Sequence, residues 1–331
     1  MELIEKLLEP EEIKQEISLD EKLIEKIKQD RQEINDIILW KSNKKLIIVG
    51  PCSVDFEDSI LDYARKLKEI SDKVQDNYKI VMRTYTAKPR TTVWWKWVLY
   101  NGELGSEWNL ATGIVFARKL MKQVIEIWLP IADEMLYPEL IPYFDDILSY
   151  IAIWARSSEN QSHREVASGL DIAVGVKNPT SGDVQVTVNS LIATRNSQQA
   201  LLWGMQYETK GNPYSHILLR GSSFEGLSKP NFDEGSIRKL KDTLADKWIK
   251  SKIIVDLNHD NSGKNGLKQP ENMKNLLEMG DDDIVGYMIE SYIYDGNQKL
   301  DEGNIAGLKR GLSVTDHCLG VEKIEKMLEV F

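Results

Sequence analysis

Short apolar runs alternate with longer amphipathic stretches from about residue 45 to the end of the chain. Eight of these runs have the length of a strand: Leu46–Val49, Ile80–Met82, Ile125–Ile131, Tyr150–Trp154, Ile172–Val176, Ile217–Leu219, Ile253–Leu257 and Ile284–Ile289. Near-continuous apolar strands separated by helices are typical of a parallel sheet that is covered on both faces. Eight such units predict an α/β fold, a (β/α)8 TIM barrel over residues 45–331. The pattern alone leaves a doubly wound open sheet as the alternative.

Two segments lie outside this repeat. Residues 1–44 are rich in charge and carry apolar residues at helical spacing, with Pro10 suited to a first helical turn and Ser18 with Glu21 fitting a capping box. We predict an N-terminal helical extension that packs on a neighbouring surface or subunit. The run Ala200–Gly204 falls between the fifth and sixth strands, where it predicts an inserted hairpin.

Composition narrows the functional class. The 331 residues are 42% apolar and 28% charged, as in an ordinary globular protein. A net charge of −10 disfavours nucleic acid and anionic membranes as partners, because these polyanions bind clustered Lys and Arg. The acidic N-terminus does not fit a signal peptide, and no apolar run approaches the roughly 18 residues of a membrane span. We therefore expect a cytoplasmic protein with its two cysteines, Cys52 and Cys318, reduced.

Charged or metal-capable residues follow all eight apolar runs. In chain order they are Cys52, Arg83, Glu134, Arg156, Lys177, Arg220, His259 and Glu290. In a barrel these positions converge on the C-terminal mouth, where active sites of this fold lie. One such residue alone is usually a surface or ion-pair residue, but recurrence after every strand indicates a site.

The cations of this set predict an anionic ligand. Arg83, Arg156, Lys177 and Arg220 are joined by Lys88, Arg90 and Lys96 on the loop after the second strand. Such a cluster repels itself unless an anion neutralises it, and Arg offers bidentate geometry to phosphate and carboxylate. The predicted ligand carries at least one phosphate. The alternative is a set of ion pairs with local carboxylates.

The remaining residues predict a metal site. Cys52, His259 and Glu290, joined by Asp316, form a mixed soft and hard donor set that suits one divalent Mn, Fe, Co or Zn ion better than Mg or Ca. A metal beside a polyanion pocket is typical of metal-assisted carbonyl chemistry on phosphorylated substrates. We expect the other three histidines and Cys318 to be structural.

At these residues the sequence resembles class I 3-deoxy-D-arabino-heptulosonate 7-phosphate (DAHP) synthase over nearly the whole chain. The matching stretches are IIVGPCSV, IVMRTYTAKPRTTVWWKW, ARSSENQSHREVASGL, VGVKNPTSG, HILLRG, VDLNHDNSGK, GYMIESYIYDGNQ and GLSVTDHCLG. The resemblance implies addition of phosphoenolpyruvate (PEP) to erythrose 4-phosphate, giving DAHP and phosphate in the first step of the shikimate pathway. It also implies a homodimer or homotetramer, and a barrel with an N-terminal extension and an extra hairpin.

The resemblance also implies roles for individual residues. The metal ligands would be Cys52, His259, Glu290 and Asp316, and the residues acting in catalysis would be Lys88, Glu134, His259 and Cys52, with Glu134 positioning the attacking water. PEP would be held by Arg83, Lys88, Lys96, Ala155, Arg156, Lys177 and Arg220. The aldose phosphate would be held by Pro89, Arg90 and Thr91.

The chain departs from the family at positions near these residues. It has Trp94, Trp97 and Trp154 where the family usually has glycine, and Tyr292 where His or Asn is usual. The tryptophans motivate one alternative, a PEP-dependent aldol synthase that uses another aldehyde. A barrel that only binds or regulates is a further alternative, against which the retention of the metal ligands and the cations argues. Residues 135–142 lack the pattern of members controlled by aromatic amino acids, so we predict weak or no inhibition by Phe or Tyr.

Overall fold

Eight parallel strands close into a barrel in the computed structural model, which describes residues 1–88, 97–106, 109–301 and 303–330. The barrel strands are β1 Lys45–Gly50, β2 Tyr78–Arg83, β3 Ile131–Met135, β4 Tyr150–Ile153, β5 Ala173–Lys177, β8 His216–Leu219, β11 Ile253–Asp256 and β12 Ile284–Tyr292. Each pairs in parallel with the next, and β1 pairs with β12 to close the ring. The predicted (β/α)8 barrel is confirmed.

The other strands lie outside the ring. They are β6 Gln199–Leu202, β7 Met205–Glu208, β9 Ser222–Phe224, β10 Leu227–Lys229 and β13 Leu319–Gly320. The β6–β7 pair is the predicted hairpin between the fifth and sixth barrel strands. A second hairpin, β9–β10, follows the sixth barrel strand and was not predicted.

The α-helices are α1 Pro10–Glu16, α2 Glu21–Ile38, α3 Glu57–Val74, α4 Val98–Asn101, α5 Leu110–Glu126, α6 Gln161–Gly169, α7 Val184–Arg195, α8 Glu234–Ala245, α9 His259–Ser262, α10 Gln269–Met279 and α11 Val321–Val330. The described part of the chain holds no helix with the length and apolar character needed to cross a membrane.

Strand alternation separates two apolar layers. Along β1, Leu46 and Ile48 belong to the barrel interior, while Ile47 and Val49 belong to the layer between the strands and the outer helices. Three isoleucines of α2 join the interior layer, Ile34, Ile37 and Ile38. The predicted extension therefore packs on the barrel of its own chain and closes the end opposite the mouth.

Two local predictions were wrong. The third strand was expected over Ile125–Ile131, but α5 continues to Glu126 and the strand begins at Ile131. The apolar last turn of the helix and the apolar strand are nearly contiguous in sequence, so one run spans two elements. The cap of α2 is Asp20, whose carboxylate accepts a hydrogen bond from the Leu23 amide at 2.8 Å, and not Ser18.

Candidate active site

Three potential metal ligands meet at the mouth of the barrel. Cys52 follows β1, Glu290 lies in β12, and Asp316 lies in the loop before β13. The thiol and the two carboxylates offer donor atoms that are all within 4.8 Å of one another. The closing β1–β12 pair brings the first two together, because its register sets Gly50 opposite Glu290. Cys52 and Glu290 are buried and Asp316 is half-buried.

His259 lies next to this cluster, close to one of its three members. It begins α9 just after β11, and its Nε2 lies 3.7 Å from Glu290 Oε1. The other ring nitrogen, Nδ1, lies 2.6 Å from Asp256 Oδ2. An Nδ1–H that donates to a carboxylate leaves the Nε2 lone pair free to bind a metal. The three grouped donors suit a divalent first-row ion, and His259 lies beside Glu290 but outside that group of three.

Further hydrogen bonds fix Glu290. Asn258 Nδ2 donates to Glu290 Oε2 at 2.6 Å. The Gln269 side chain donates to the Glu290 carbonyl at 2.9 Å and accepts from its amide at 2.8 Å. The carboxylate is therefore held in one orientation on a rigid strand.

The ligand set is electrostatically coupled. Burial, together with the charge of Glu290, raises the pKa of the Cys52 thiol to about 12. Burial acts to raise the pKa of Glu290 as well, but His259, Arg83 and Lys88 outweigh it and lower that pKa below its ordinary value. A bound divalent cation favours the thiolate, so metal binding at this site releases a proton.

The predicted cations lie beside the metal set. Arg83 Nη2 is 2.9 Å from Glu290 Oε1, and Lys177 Nζ is 2.5 Å from Glu134 Oε1. Burial acts to raise the pKa of Glu134, but Lys177 and Lys88 lower it, so the carboxylate is ionised. Both of these cations therefore form ion pairs with nearby carboxylates, which was the alternative to an anionic ligand.

Pairing does not satisfy the cluster completely. Within the described residues, Arg83 Nη1 and Glu134 Oε2 are buried polar atoms without a hydrogen-bond partner. An unsatisfied buried donor or acceptor costs about 1–3 kcal/mol, so a ligand bound beside the candidate metal site would be stabilised by contact with these two atoms. The orphaned guanidinium nitrogen suits an anion, and the orphaned carboxylate oxygen suits a water molecule or a hydroxyl.

The other predicted residues are less tightly clustered. Arg220 is buried in an ion pair with Asp260. Ala155 is buried in a short 3-10 turn, whereas Arg156 is exposed, with its guanidinium 4.8 Å from the centre of the Trp154 ring. The predicted Pro89, Arg90, Thr91 and Lys96, and also Trp94, lie outside the described residues.

Comparison with known proteins agrees with this geometry. The sequence profile of the DAHP synthetase I family matches residues 17–329. The chain belongs to this family. It is 34% identical over 335 residues to the Tyr-sensitive phospho-2-dehydro-3-deoxyheptonate aldolase of Escherichia coli (strain K12), covering 97% of this chain and 91% of that protein. It is 35% identical over 319 residues to the corresponding aldolase of Corynebacterium glutamicum, covering 92% and 85%.

A solved structure of the same kind superposes on almost the whole chain. The phospho-2-dehydro-3-deoxyheptonate aldolase from Francisella tularensis SCHU S4 has a TM-score of 0.93 and 34% sequence identity, and the match covers 99% of this chain and 96% of that one. The shared fold therefore includes the N-terminal extension as well as the barrel.

Sequence reasoning missed several residues that hold this family site in place. They are Tyr85, Asp256, Asn258, Asp260 and Gln269. Tyr85 is buried, and its ring centre lies 4.0 Å from Arg83 Cζ, 5.3 Å from Lys88 Nζ and 5.6 Å from Lys177 Nζ, so its π face meets three cations. Asp256 had a local signal, since it ends a strand three residues before His259; the others show their role only through contacts.

Two departures from the family, Tyr292 and Trp97, differ in their position relative to the candidate metal ligands. Tyr292 is turned away from the ligand set, and its hydroxyl donates to Asp55 Oδ1 at 2.5 Å. Trp97, in contrast, is buried and lines a cleft shared with Cys52, Lys88 and Asp316. The first substitution leaves the metal ligands alone, while the second narrows the space beside them.

Three of the four residues expected to be structural, His163, His216 and Cys318, are buried. His216 is buried at the start of β8, with Nε2 2.9 Å from the Tyr150 hydroxyl and Nδ1 2.9 Å from the Tyr214 carbonyl. His163 contacts Asn160 and the Leu136 carbonyl. Cys318 is a buried free thiol.

Proposed function

We propose that this chain is a DAHP synthase, which condenses PEP with erythrose 4-phosphate to give DAHP and inorganic phosphate. The observation that carries the proposal is the meeting, at one barrel mouth, of the Cys52, Glu290 and Asp316 donors, with His259 beside Glu290, and the orphaned Arg83 Nη1 and Glu134 Oε2. Family membership supports the same reaction.

We infer that Cys52, His259, Glu290 and Asp316 hold one divalent ion, which is Mn, Fe, Co or Zn. When bound, the ion supplies Lewis-acid polarisation of the aldehyde carbonyl. Asp256 orients His259 toward that position, and Asn258 with Gln269 orients Glu290. These contacts support a preorganised site rather than one assembled around the metal.

The cations take the anionic groups of PEP. Arg83 and Lys88, together with Lys177 and Arg220, bind its carboxylate and phosphate, and Lys96, Ala155 and Arg156 complete that pocket. C3 of PEP forms the new carbon–carbon bond to the aldehyde carbon, and water adds at C2. The bond between C2 and the bridging oxygen then breaks, and phosphate leaves with that oxygen. The cations stabilise the departing charge.

Glu134 positions the attacking water. Lys177 donates a hydrogen bond to its Oε1, while its buried Oε2 has no partner and can accept a hydrogen bond from a water molecule. The neighbouring lysines keep the carboxylate ionised and able to accept the proton that water loses. Pro89, Arg90 and Thr91, on the loop after β2, bind the phosphate of the aldose.

The experiment that tests the proposal is release of phosphate from PEP with Mn²⁺ supplied. We expect release only when both metal and erythrose 4-phosphate are present. Cys52→Ala should abolish it, whereas Cys318→Ala, which removes the other buried thiol, should retain it. Release that is equal with and without the metal, or equal in the two variants, would contradict the assignment.

A second candidate is a PEP-dependent aldol synthase that uses another aldehyde. It is favoured by Trp97, whose buried indole lines the cleft beside Cys52 and Asp316 where the family usually has glycine. A screen of phosphorylated aldoses separates the two functions. Turnover with a shorter aldose, in the absence of turnover with erythrose 4-phosphate, would select the second.

We also propose that the chain forms a homodimer or homotetramer. Leu201 and Met205 of the β6–β7 hairpin are exposed large apolar side chains, which is the character expected of an assembly surface. Light scattering of the eluted protein gives the mass directly. Replacing both residues by Ser should lower that mass, and a monomeric starting protein would overturn the proposal.

A further inference from the structure

The tryptophans of this chain have an unusual backbone. Six of them lie in the described residues, and five of these have positive φ: Trp40 at 61°, Trp97 at 80°, Trp128 at 66°, Trp203 at 51° and Trp248 at 58°. Only a few per cent of non-glycine residues adopt such angles, and a bulky residue there is an outlier. Among all other non-glycine residues described, three do so. The conformation therefore follows the residue type.

Three of these tryptophans end helices. After α2, the Trp40 amide donates to the Ile37 carbonyl at 3.4 Å and the Lys41 amide to the Asp36 carbonyl at 2.8 Å. This pair of bonds is the Schellman motif, whose left-handed position is usually glycine. After α10, the corresponding left-handed residue is Gly280, at φ 67°. Trp40 thus takes a position that glycine fills elsewhere in the same molecule.

The same pair of bonds recurs after α8, and one of the two bonds recurs after α5. After α8, the Trp248 amide donates to the Ala245 carbonyl at 2.9 Å and the Ile249 amide to the Leu244 carbonyl at 3.0 Å. After α5, the Trp128 amide donates to the Ile125 carbonyl at 2.7 Å. Helices that share no sequence context therefore end on tryptophan in one conformation.

The fourth residue lies in a tight turn. Trp203 and Gly204 form the two-residue loop between β6 and β7, with φ of 51° and 74°. A loop with positive φ at both central residues is a type I′ turn, which favours Asn-Gly and Gly-Gly.

The fifth residue is the most restricted. Trp97 has φ 80° and ψ 175°, in a region that is essentially confined to glycine. Its side chain is 1% exposed and lines the cleft beside Cys52 and Asp316. Position 97 therefore carries a large side chain although its backbone conformation is one that glycine adopts.

Packing does not explain the other four indoles. Trp40, Trp128 and Trp203 are between 40% and 48% exposed, and Trp248 is 96% exposed. Burial of the rings offsets little of the strain of a left-handed backbone. No shared function links helix ends, a hairpin and an active site. What the five positions share is the identity of the residue, so the explanation must concern how tryptophan comes to stand at these positions.

We propose that positions 40, 97, 128, 203 and 248 carry glycine in the polypeptide that the source cell makes. The codon translated as tryptophan at these positions is then read as glycine by that cell. UGA is such a codon, because different genetic codes assign it to stop, tryptophan or glycine. Glycine at position 97 also removes the indole that lines the cleft beside Cys52, and with it the observation that favours the second candidate function.

Peptide mapping of the protein purified from its source cells decides the proposal. Tandem mass spectrometry reads the residue at each of the five positions, and also at Trp154, whose backbone is extended (φ −63°, ψ 142°) and permits either residue. Glycine at the five positions is the expected result. Tryptophan at them would overturn the proposal, whatever the activity of the protein.

A second measurement tests the backbone argument without the source cell. Trp248→Gly and Trp248→Ala both delete the same exposed indole, but only glycine relieves a left-handed backbone. We expect the glycine variant to melt about 2 °C or more above the alanine variant. Equal melting temperatures would show that the backbone is not strained and would contradict the inference. The readout does not depend on whether the chain is a DAHP synthase.

Discussion

His259 and Asp256 show how much of the site depends on single contacts. Asp256 ends β11 and its carboxylate lies 2.6 Å from His259 Nδ1, so the imidazole presents Nε2 to the cluster of Cys52, Glu290 and Asp316. Without that contact the ring is free to rotate and to exchange tautomers. A carboxylate of this kind sets both the direction and the basicity of a ligating histidine.

Asp256→Asn should therefore weaken metal binding while the fold is retained. We expect an affinity loss on the order of 10- to 100-fold, because the amide holds the ring less firmly and lowers its basicity. Calorimetric titration with Mn²⁺ measures it. The control is Asp246→Asn, at an exposed position, which should bind as the unaltered chain does. Unchanged affinity in Asp256→Asn would refute the orienting role.

Glu134 and Lys177 form a buried ion pair in which each charge needs the other. Lys177→Met leaves Glu134 without its closest cation and should lower the free energy of unfolding by roughly 3–5 kcal/mol. Adding Glu134→Gln should recover much of that loss without restoring activity. Urea unfolding and phosphate release measure the two effects.

The partly exposed pair of Lys241 and Asp281 provides the control. Lys241→Met should cost less than about 1 kcal/mol, because water already solvates that lysine. A double variant at 134 and 177 that is no more stable than Lys177→Met would show that the charge of Glu134 is compensated by other groups.

Helix α2 is an element whose place follows from its apolar stripe. Ile34, Ile37 and Ile38 enter the interior layer of the barrel, and Arg31 on the same helix donates to the Leu148 carbonyl at 2.9 Å, just before β4. The extension thus covers the end of the barrel opposite the candidate site.

Ile34→Ala should destabilise the chain by about 2–5 kcal/mol, because it leaves a cavity where the helix meets the barrel interior. Ile24→Ala is the matched control on the same helix, since Ile24 is 40% exposed. Thermal or urea unfolding compares the two. Similar, small losses in both variants would mean that α2 is not part of the cooperative core.

The whole molecule is acidic, with a net charge of −10, while its mouth collects cations. The acidic surface keeps the chain away from other polyanions. At the mouth the cations are paired with carboxylates, so small phosphorylated substrates meet cations that are already held in place. Buried titratable groups lie at both ends of the barrel, so the free energy of unfolding depends on pH.

His216, at the start of β8, makes the stability of the whole chain depend on pH. Burial lowers its pKa to about 4, against 6.5 ordinarily. Between these values the unfolded chain binds a proton that the folded chain does not, so stability falls as pH falls from 6.5 to 4. His216→Gln should flatten that dependence. Urea midpoints measured at intervals from pH 7 to 4.5 test it, and parallel curves for the two proteins would contradict it.

The barrel and the chemical types at its mouth were largely predictable from sequence. A strand buried on both faces requires a continuous apolar run, and in this fold the residue after the run lies at the mouth. The sequence pattern alone therefore predicted that the mouth carries Cys52, Lys177, His259 and Glu290. The third strand was misplaced because the last turn of α5 is as apolar as β3.

Tertiary structure alone decided which charges pair and which backbones are strained. Apolar periodicity reports the burial of one residue at a time, whereas the contacts of Lys177 with Glu134 and of Arg220 with Asp260 join residues 43 and 40 positions apart. Such pairs exist only after the ring has closed. The same holds for the tryptophans: residue identity is written in the sequence, but the positive φ that makes Trp40 or Trp97 anomalous is imposed by the helix ends and turns around it.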